Sequence, residues 1–386
     1  MTEKLFYEDA YRKEFDARVL SCRPVPEKGY EVVLDRTAFF PEGGGQYGDV
    51  GEISGVRVSD TQEKDGDVIH YTSEPLQEGA AVTGKIDWEI RFSRMQQHTA
   101  EHILSGLAHS IFGYQNVGFH LSDEICTMDF SGPVTKEEME EIEKRANEAV
   151  YKNIEVNVLC PSREELKNFE YRSKIEIEGQ VRIIQIPGYD TCACCAPHLK
   201  RTGEIGQIKV IGLMNYKGGV RVTMVSGNRA LCDHEKREKD MKEISKLLSA
   251  KEWELPEAVQ KLKDDMERQK SEVLSLQRKL ITYKAAEVPA GQKLACLFEK
   301  DLDGTGIREL MNQVLETHVT VCGVFLQKGE GWQYVVGSRE KDVREIGKKL
   351  NERFHGRGGG KPEMIQGSLQ GRPEDIKSFF EETVNG

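Results

Sequence analysis

Two short segments carry side chains able to hold a metal ion. In Arg94-Met-Gln-Gln-His98-Thr-Ala-Glu-His102, two histidines stand four residues apart in a run whose apolar positions (Met95, Ile103, Leu104, Leu107, Ile111) keep helical spacing. Both imidazoles therefore fall on one helix face. In Cys192-Ala-Cys-Cys-Ala-Pro-His198, Cys194 and His198 repeat the spacing of four. Two histidines with a Cys/His pair make a tetrahedral zinc set, His98, His102, Cys194 and His198. Cys192 and Cys195 are rival thiols, and Cys194 is preferred for its spacing. The first segment also spells the H-x-x-E-H of inverted zinc peptidases, with Glu101 as general base. Four protein ligands leave zinc little room for water, so the set fits structure or substrate capture better than peptidase chemistry. A third use of the thiols Cys192, Cys194 and Cys195 is redox sensing.

The elements that must position these residues are of mixed type: an α/β (α+β) multidomain chain in four parts. Residues 1–90 read as short strands, Tyr30–Asp35, Val56–Val58 and Val68–Tyr71 among them, and suggest a small N-terminal β-barrel. Gly43, Gly44 and Gly45, followed by Gln46, fit no strand interior and suit a loop whose backbone approaches something closely. Residues 91–228 read as α+β. The His98 helix stops at Gly113, a strand lies near Ile125–Phe130, and Thr135 with Glu138 spells a capping box. Ser162 with Glu165 repeats it before a shorter helix. Residues 229–288 are charged and helical. Val259, Leu262, Met266, Gln269, Val273, Leu276, Leu280 and Tyr283 mark a heptad seam, and Pro256 fits the first turn of the second helix of a hairpin. Residues 289–386 form a separate α/β unit. Between Lys341 and Lys361, seven Lys/Arg stand against three acids. Lys348, Lys349, Arg353, Arg357 and Lys361 are its candidate phosphate contacts.

The bulk numbers narrow the class. With 54 Lys+Arg against 65 Asp+Glu, the 386-residue chain carries a net charge of −11, which argues against non-specific DNA or membrane binding. No apolar run reaches a membrane span and no apolar signal core opens the chain, so a cytoplasmic protein is expected. Its 9 cysteines fit reduced thiols, some of them metal ligands.

Taken in order, the motifs carry a resemblance. His98-x3-His102 and Cys194-x3-His198, with Thr202-Gly-Glu-Ile-Gly206 after them, resemble the editing domain of alanyl-tRNA synthetase. Phe40-Pro-Glu-Gly-Gly-Gly-Gln46 and Gly118-Phe119-His120 look like the free-standing AlaX editing proteins. Gly358-Gly-Gly-Lys-Pro with Gln366-Gly367 is similar to the DHHA1 module, so the whole matches the long AlaX architecture. Cys194-Cys-Ala-Pro-His198 departs from the family's usual Cys-Gly-Gly-Thr-His. The resemblance implies a zinc-dependent deacylase that removes serine foremost, and glycine second, from mischarged tRNA(Ala) by binding its acceptor end. Gly43, Gly44, Gly45, Gly118 and Phe119 would bind substrate. Thr37, Gln46 and His120 are catalytic candidates, Thr37 the one to meet a serine hydroxyl. Lacking an aminoacylation domain and an ATP signature, the chain is not expected to charge tRNA. A homodimer through the C-terminal region is expected. A non-catalytic, zinc-containing tRNA-binding protein is the other alternative.

Overall fold

Alternating apolar side chains in the N-terminal segment become six antiparallel strands in the computed structural model, which describes residues 1–166, 170–173 and 181–385. The strands Glu14–Val25, Gly29–Leu34, Asp67–Thr72, Val56–Lys64, Gly51–Ile53 and Ala81–Ile86 pair in that order, and the last returns to the first to close a barrel. Phe15, Val19, Val32, Leu34, Ile53 and Val82 fill its interior, as the period of two requires. Before the barrel, the short helix α1 (Leu5–Glu8) buries Leu5 and Phe6 and leaves Tyr7 42% exposed.

Helix α2 (Trp88–Phe112) starts at Asp87, whose side chain accepts from the Ile90 N–H, and ends at Gly113, left-handed at φ 74°. Beyond it, Ile208–Tyr216, Gly219–Ser226, Cys126–Phe130 and Asn116–Leu121 form a four-stranded antiparallel sheet in that order. Helix α3 (Lys136–Lys152) carries the expected Thr135/Glu138 capping box in full. Asn157–Leu159, Ile183–Ile186 and Asp190–Ala193 make a three-stranded sheet. Helix α4 is described over Arg163–Leu166, with Ser162 and Glu165 bonded reciprocally at its start. Any continuation of the expected shorter helix through 167–169 lies outside the described residues. The core of this region joins α2 and α3 to the inner face of the four-stranded sheet.

The chain divides into two compact units, Met1–Glu243 and Ile244–Gly386. Helix α5 (Asn228–Leu248) spans the division, and α6 (Leu255–Glu287) follows with Pro256 in its first turn. The seam expected along α6 is largely exposed: Val259, Leu262, Met266, Val273, Leu276 and Tyr283 all show more than two fifths of their surface. In the second unit Leu294–Glu299 pairs in parallel with Val321–Lys328, and Gly331–Ser338, Met364–Leu369 and Arg357–Lys361 complete a five-stranded sheet. Helices α7 (Gly304–Glu316), α8 (Arg344–Arg353) and α9 (Pro373–Asn385) pack on it. The glycines of Arg357–Lys361 lie in the outermost strand. A Cβ at Gly358 would lie 2.7 Å from the Tyr334 hydroxyl, so the close approach of that ring needs glycine there.

Helix α2 buries Arg91 and the whole run 94–108, although this includes Arg94, Gln96, Gln97, His98, Glu101, His102 and Ser105. Its polar groups find partners, as burial demands. Gln97 exchanges hydrogen bonds with the Ser226 backbone at 2.8 and 2.9 Å. Arg91, fully buried, pairs with Asp49 and donates to the Ala38 carbonyl. Removing one partner of such a pair strands a buried charge. Asp49→Ala is therefore expected to cost the first unit about 3–5 kcal/mol, read as the shift in its urea midpoint. A loss below about 1 kcal/mol would show that the pair does not hold the barrel to the helix.

Candidate metal centre and cleft

The glycine-rich loop is laid along α2 by three successive contacts. Its neck is closed by Phe40 and Asp49: the Phe40 N–H donates to Asp49 Oδ2 at 2.7 Å and the Asp49 N–H to the Phe40 carbonyl at 2.8 Å. Asp49 then takes Arg91, the Gly48 carbonyl accepts from Arg94 at 2.7 Å, and Gln46 Oε1 lies 3.0 Å from His98 Nδ1. Positions 91, 94 and 98 share one helix face, so descending loop residues meet ascending helix residues. At the loop's tip Gly44 and Gly45 are left-handed at φ 60° and 82°. A Cβ on Gly45 would come within 2.6 Å of the Phe119 ring, and the Gly45 carbonyl accepts from the Leu121 N–H at 3.0 Å.

His98, His102, Cys194 and His198 converge, with one potential donor atom from each within 4.8 Å of all the others. Cys194 Sγ lies 3.6 Å from His98 Nε2 and 3.4 Å from His198 Nε2. Each imidazole is held from behind through Nδ1: His98 by Gln46, His102 by Asp190 Oδ2 at 2.9 Å, His198 by Thr99 Oγ1 at 3.1 Å. A metal ion held here would take each ring neutral, with the proton on Nδ1 toward the oxygen behind it and the Nε2 lone pair toward the sulfur. Metal-binding histidines are commonly oriented in this way. The spacing of four that singled out Cys194 and His198 does not come from a helix. Residues 194–198 are irregular chain after Asp190–Ala193, pinned by the Cys194 N–H donating to the Arg182 carbonyl and the Leu199 N–H to Thr99 Oγ1.

The electrostatics set Cys194 apart from the two other thiols. Burial works against ionisation of Cys194, but His98 beside it and the hydrogen bonds with His102 and His198 overcome it and hold the thiol well below its usual range. Burial keeps the His198 imidazole neutral, down to about 3. For His102 burial also opposes charge, and the hydrogen bonds to Asp190 and Cys194 outweigh it and lift the ring to about 9. The two rival thiols are pushed the other way, Cys192 to about 12 and Cys195 to about 11, chiefly by burial. Cys192 does lie with His102 and Asp190 in a second tight cluster. There Asp190 is already clasped by Arg172, at 2.8 and 2.9 Å, and a cation so placed opposes a metal ion.

The four-donor centre opens on a cleft of about 820 Å³ within the first unit. Gly44, Gly45, Gly118 and Phe119 line it, as does Asn116, and none of its described lining residues is acidic. Gly43 lies beside Cys195: its Cβ would sit 3.7 Å from the Cys195 sulfur. Two expected residues are elsewhere. Thr37 is fully buried in the barrel, 2.8 Å from His70 Nε2 and accepting from the Phe39 N–H, and it does not line the cleft. His120 is exposed, with Nε2 3.5 Å from the Tyr47 hydroxyl. Strand alternation turns Phe119 to the ring of His98, 4.8 Å between centroids, and His120 to the opposite face. Glu101 accepts from Ser105 at 2.6 Å and from Asn116 at 2.5 Å, both through Oε1, which ties it into the helix packing, and it is not one of the four converging donors. In the second unit Lys348, Lys349, Arg353, Arg357 and Lys361 are all exposed.

Sequence reasoning missed Asp190, Arg172 and Thr99, which stand behind the donors, and Arg182 and Tyr7, which line the cleft. One signal was present. Gly106 interrupts a helix at the turn after His102, where a Cβ would lie 2.2 Å from the Tyr189 carbonyl. A mid-helix glycine of this kind marks a close approach, here the one that brings Asp190 to His102.

Comparison with known family models matches three stretches of the chain. Residues 10–90 match tRNA synthetases class II (A), residues 181–241 the threonyl and alanyl tRNA synthetase second additional domain, and residues 291–385 the DHHA1 domain. The alanine–tRNA ligase of Ignicoccus hospitalis is 33% identical over 81% of this chain, which spans only 35% of the ligase. The alanyl-tRNA editing protein AlaX-L of Pyrococcus horikoshii is 27% identical over 97% of this chain and 96% of its own length. The alanyl-tRNA editing protein Aarsd1 of Danio rerio is 31% identical over 93% of this chain and 92% of its own. At that identity over nearly the whole of both proteins, the chain belongs to the alanyl-tRNA editing protein family.

Proposed function

We propose that this protein is an aminoacyl-tRNA deacylase that acts in trans on tRNA(Ala) carrying the wrong amino acid, serine foremost and glycine second. The observation that carries the reading is the four-donor centre at the floor of a cleft free of described carboxylates. Zinc is the metal that suits it. Bonds of about 2.1 Å to nitrogen and 2.3 Å to sulfur in a tetrahedron put N and S roughly 3.6 Å apart, and the Cys194–His98 and Cys194–His198 separations are 3.6 and 3.4 Å. His98, His102, Cys194 and His198 would hold the ion. When bound, it supplies a fixed positive charge beside the ester.

The protein's own residues do the rest. An aminoacyl ester is already activated, so the cleft must orient it, position a water and favour the oxyanion. Gly44 and Gly45 leave room for the terminal ribose, and Phe119 walls the acyl group against the centre. Gln46 acts through His98 as a positioning residue. The four-part division at residues 90, 228 and 288 assigns the cleft to the first two parts. The last part, with Lys348, Lys349, Arg353, Arg357 and Lys361, is given to tRNA contact and self-association. The H-x-x-E-H peptidase alternative is disfavoured, because Glu101 is engaged by Ser105 and Asn116.

Release of serine from seryl-tRNA(Ala) is expected to exceed release of alanine from alanyl-tRNA(Ala) by at least tenfold and to vanish after chelation. Equal rates, or no release from zinc-loaded protein, would remove the editing claim. His98→Ala with Cys194→Ala is expected to abolish zinc retained after gel filtration, and unchanged zinc would mean that other residues hold the metal. Asp190→Asn removes a charged acceptor behind His102, and about 10–100-fold weaker zinc affinity is expected in a competition titration. An affinity equal to that of the parent would make Asp190 a packing residue only.

A further inference from the structure

The cleft contains one guanidinium, and most of its hydrogen-bonding capacity is unspent. Arg182 donates from one terminal nitrogen to the Cys194 and Ala196 carbonyls, at 2.9 and 2.8 Å. That anchors it to the segment bearing a metal donor. Among the described residues its Nε is buried without a partner, and of five N–H donors only these two find one. Arg182 is also the only Lys or Arg among the described lining residues, which include no carboxylate. Among the described residues no carboxylate pairs with this fork, which lines the cleft of a chain of net charge −11. Beside it stands Tyr7, 42% exposed, with the guanidinium carbon 5.6 Å from its ring centroid. Phe6 meets Tyr7 at 4.6 Å in a tilted, edge-type contact.

We propose that Tyr7 and Arg182 seat the terminal nucleotide of the acylated strand, Tyr7 stacking on the base and Arg182 taking the phosphate 5′ to it. The assignment rests on the deacylase reading above and adds how the nucleotide is gripped. The chemistry matches both parts. The free Nε–H and the second terminal nitrogen form the planar fork that meets two phosphate oxygens. A base offers a π-face to an aromatic ring whatever its identity. Because Arg182 is tied to the Cys194 carbonyl, the phosphate is held at a fixed distance from the centre where the ester must lie. The ester's place then depends on two grips on one nucleotide.

The test uses the full-length, zinc-loaded protein and a non-hydrolysable 3′-serylamide of adenosine, made with and without a 5′-phosphate, bound in a calorimeter. The phosphate is expected to strengthen binding to the parent protein roughly tenfold or more. Arg182→Gln is expected to erase that gain while leaving the phosphate-free probe within about twofold. Tyr7→Ala is expected to weaken both probes roughly tenfold, and Tyr7→Phe to leave both within twofold. Metal content is measured on every variant. If Arg182→Gln loses zinc, Arg182→Lys is read instead and is expected to keep less than half of the gain. No phosphate gain in the parent, an undiminished gain in the Arg182 variant, or parent-like binding by Tyr7→Ala would each overturn the proposal. Probe binding as expected with no release of serine from seryl-tRNA(Ala) would instead remove the deacylase reading and leave the nucleotide seat standing.

Discussion

The first unit depends on a helix that is polar and yet buried. Taking the charged and amide groups of α2 out of water is costly unless each meets a partner. The partners come from three directions: the barrel loop through Asp49, Gly48 and Gln46, the Asp190 strand, and the Ser226 backbone. These contacts fix the helix in rotation and in height. A register slip of one residue would carry Arg91 away from Asp49 and His98 away from Gln46 together. The loop and the helix therefore specify each other, and the imidazoles inherit that precision.

The centre is rigid for the same reason. A donor set is only as well placed as the groups behind it, and here those groups belong to different elements: Gln46 to the loop, Thr99 to the helix itself, Asp190 to a strand. Gly45 closes the frame on the other wall, since no side chain larger than hydrogen fits between it and Phe119. The loop tip, the Phe119 strand and the helix thus form one body around the cleft. Buried polar groups contribute less to stability than apolar packing of the same volume would. Retaining so many in one helix is intelligible where a site needs placement more than the fold needs free energy.

Much of this was legible in the residues because it is periodic or local. Helix α2, the Gly113 stop and the Thr135 capping box follow from spacing and cap chemistry, and the structure contains them. The two donor pairs were legible as residue types, but for Cys194 and His198 the helical rationale was accidental, since that segment is irregular chain. What failed was direction. A glycine-phenylalanine-histidine run does not declare which of Phe119 and His120 faces inward until the strand's register with Cys126–Phe130 is known. Thr37 sits one turn of loop before the glycines in sequence, yet its neighbour in space is His70 from another strand. Asp190, Arg172 and Arg182 are ordinary charged residues until folding brings them behind or beside the donors.

The physical problem that a serine-removing site has to solve lies in one hydroxyl. Apolar walls separate serine from alanine poorly, because adding a hydroxyl to a small side chain changes shape little. A fixed polar partner discriminates far better, since it is left unpaired when the hydroxyl is missing. Thr37 cannot be that partner while His70 and the Phe39 N–H hold its oxygen. Along the cleft the polar side chains beside the four-donor centre are few, and Asn116 is spent on Glu101, Ser105 and the Gly118 N–H. With Arg182 assigned to a phosphate, the strongest polar feature left among the described lining residues is the centre itself. On the proposed deacylase reading, recognising the serine hydroxyl and placing the ester would both depend on the region around His98, His102, Cys194 and His198, and separating them would be the task of whatever fixes the nucleotide.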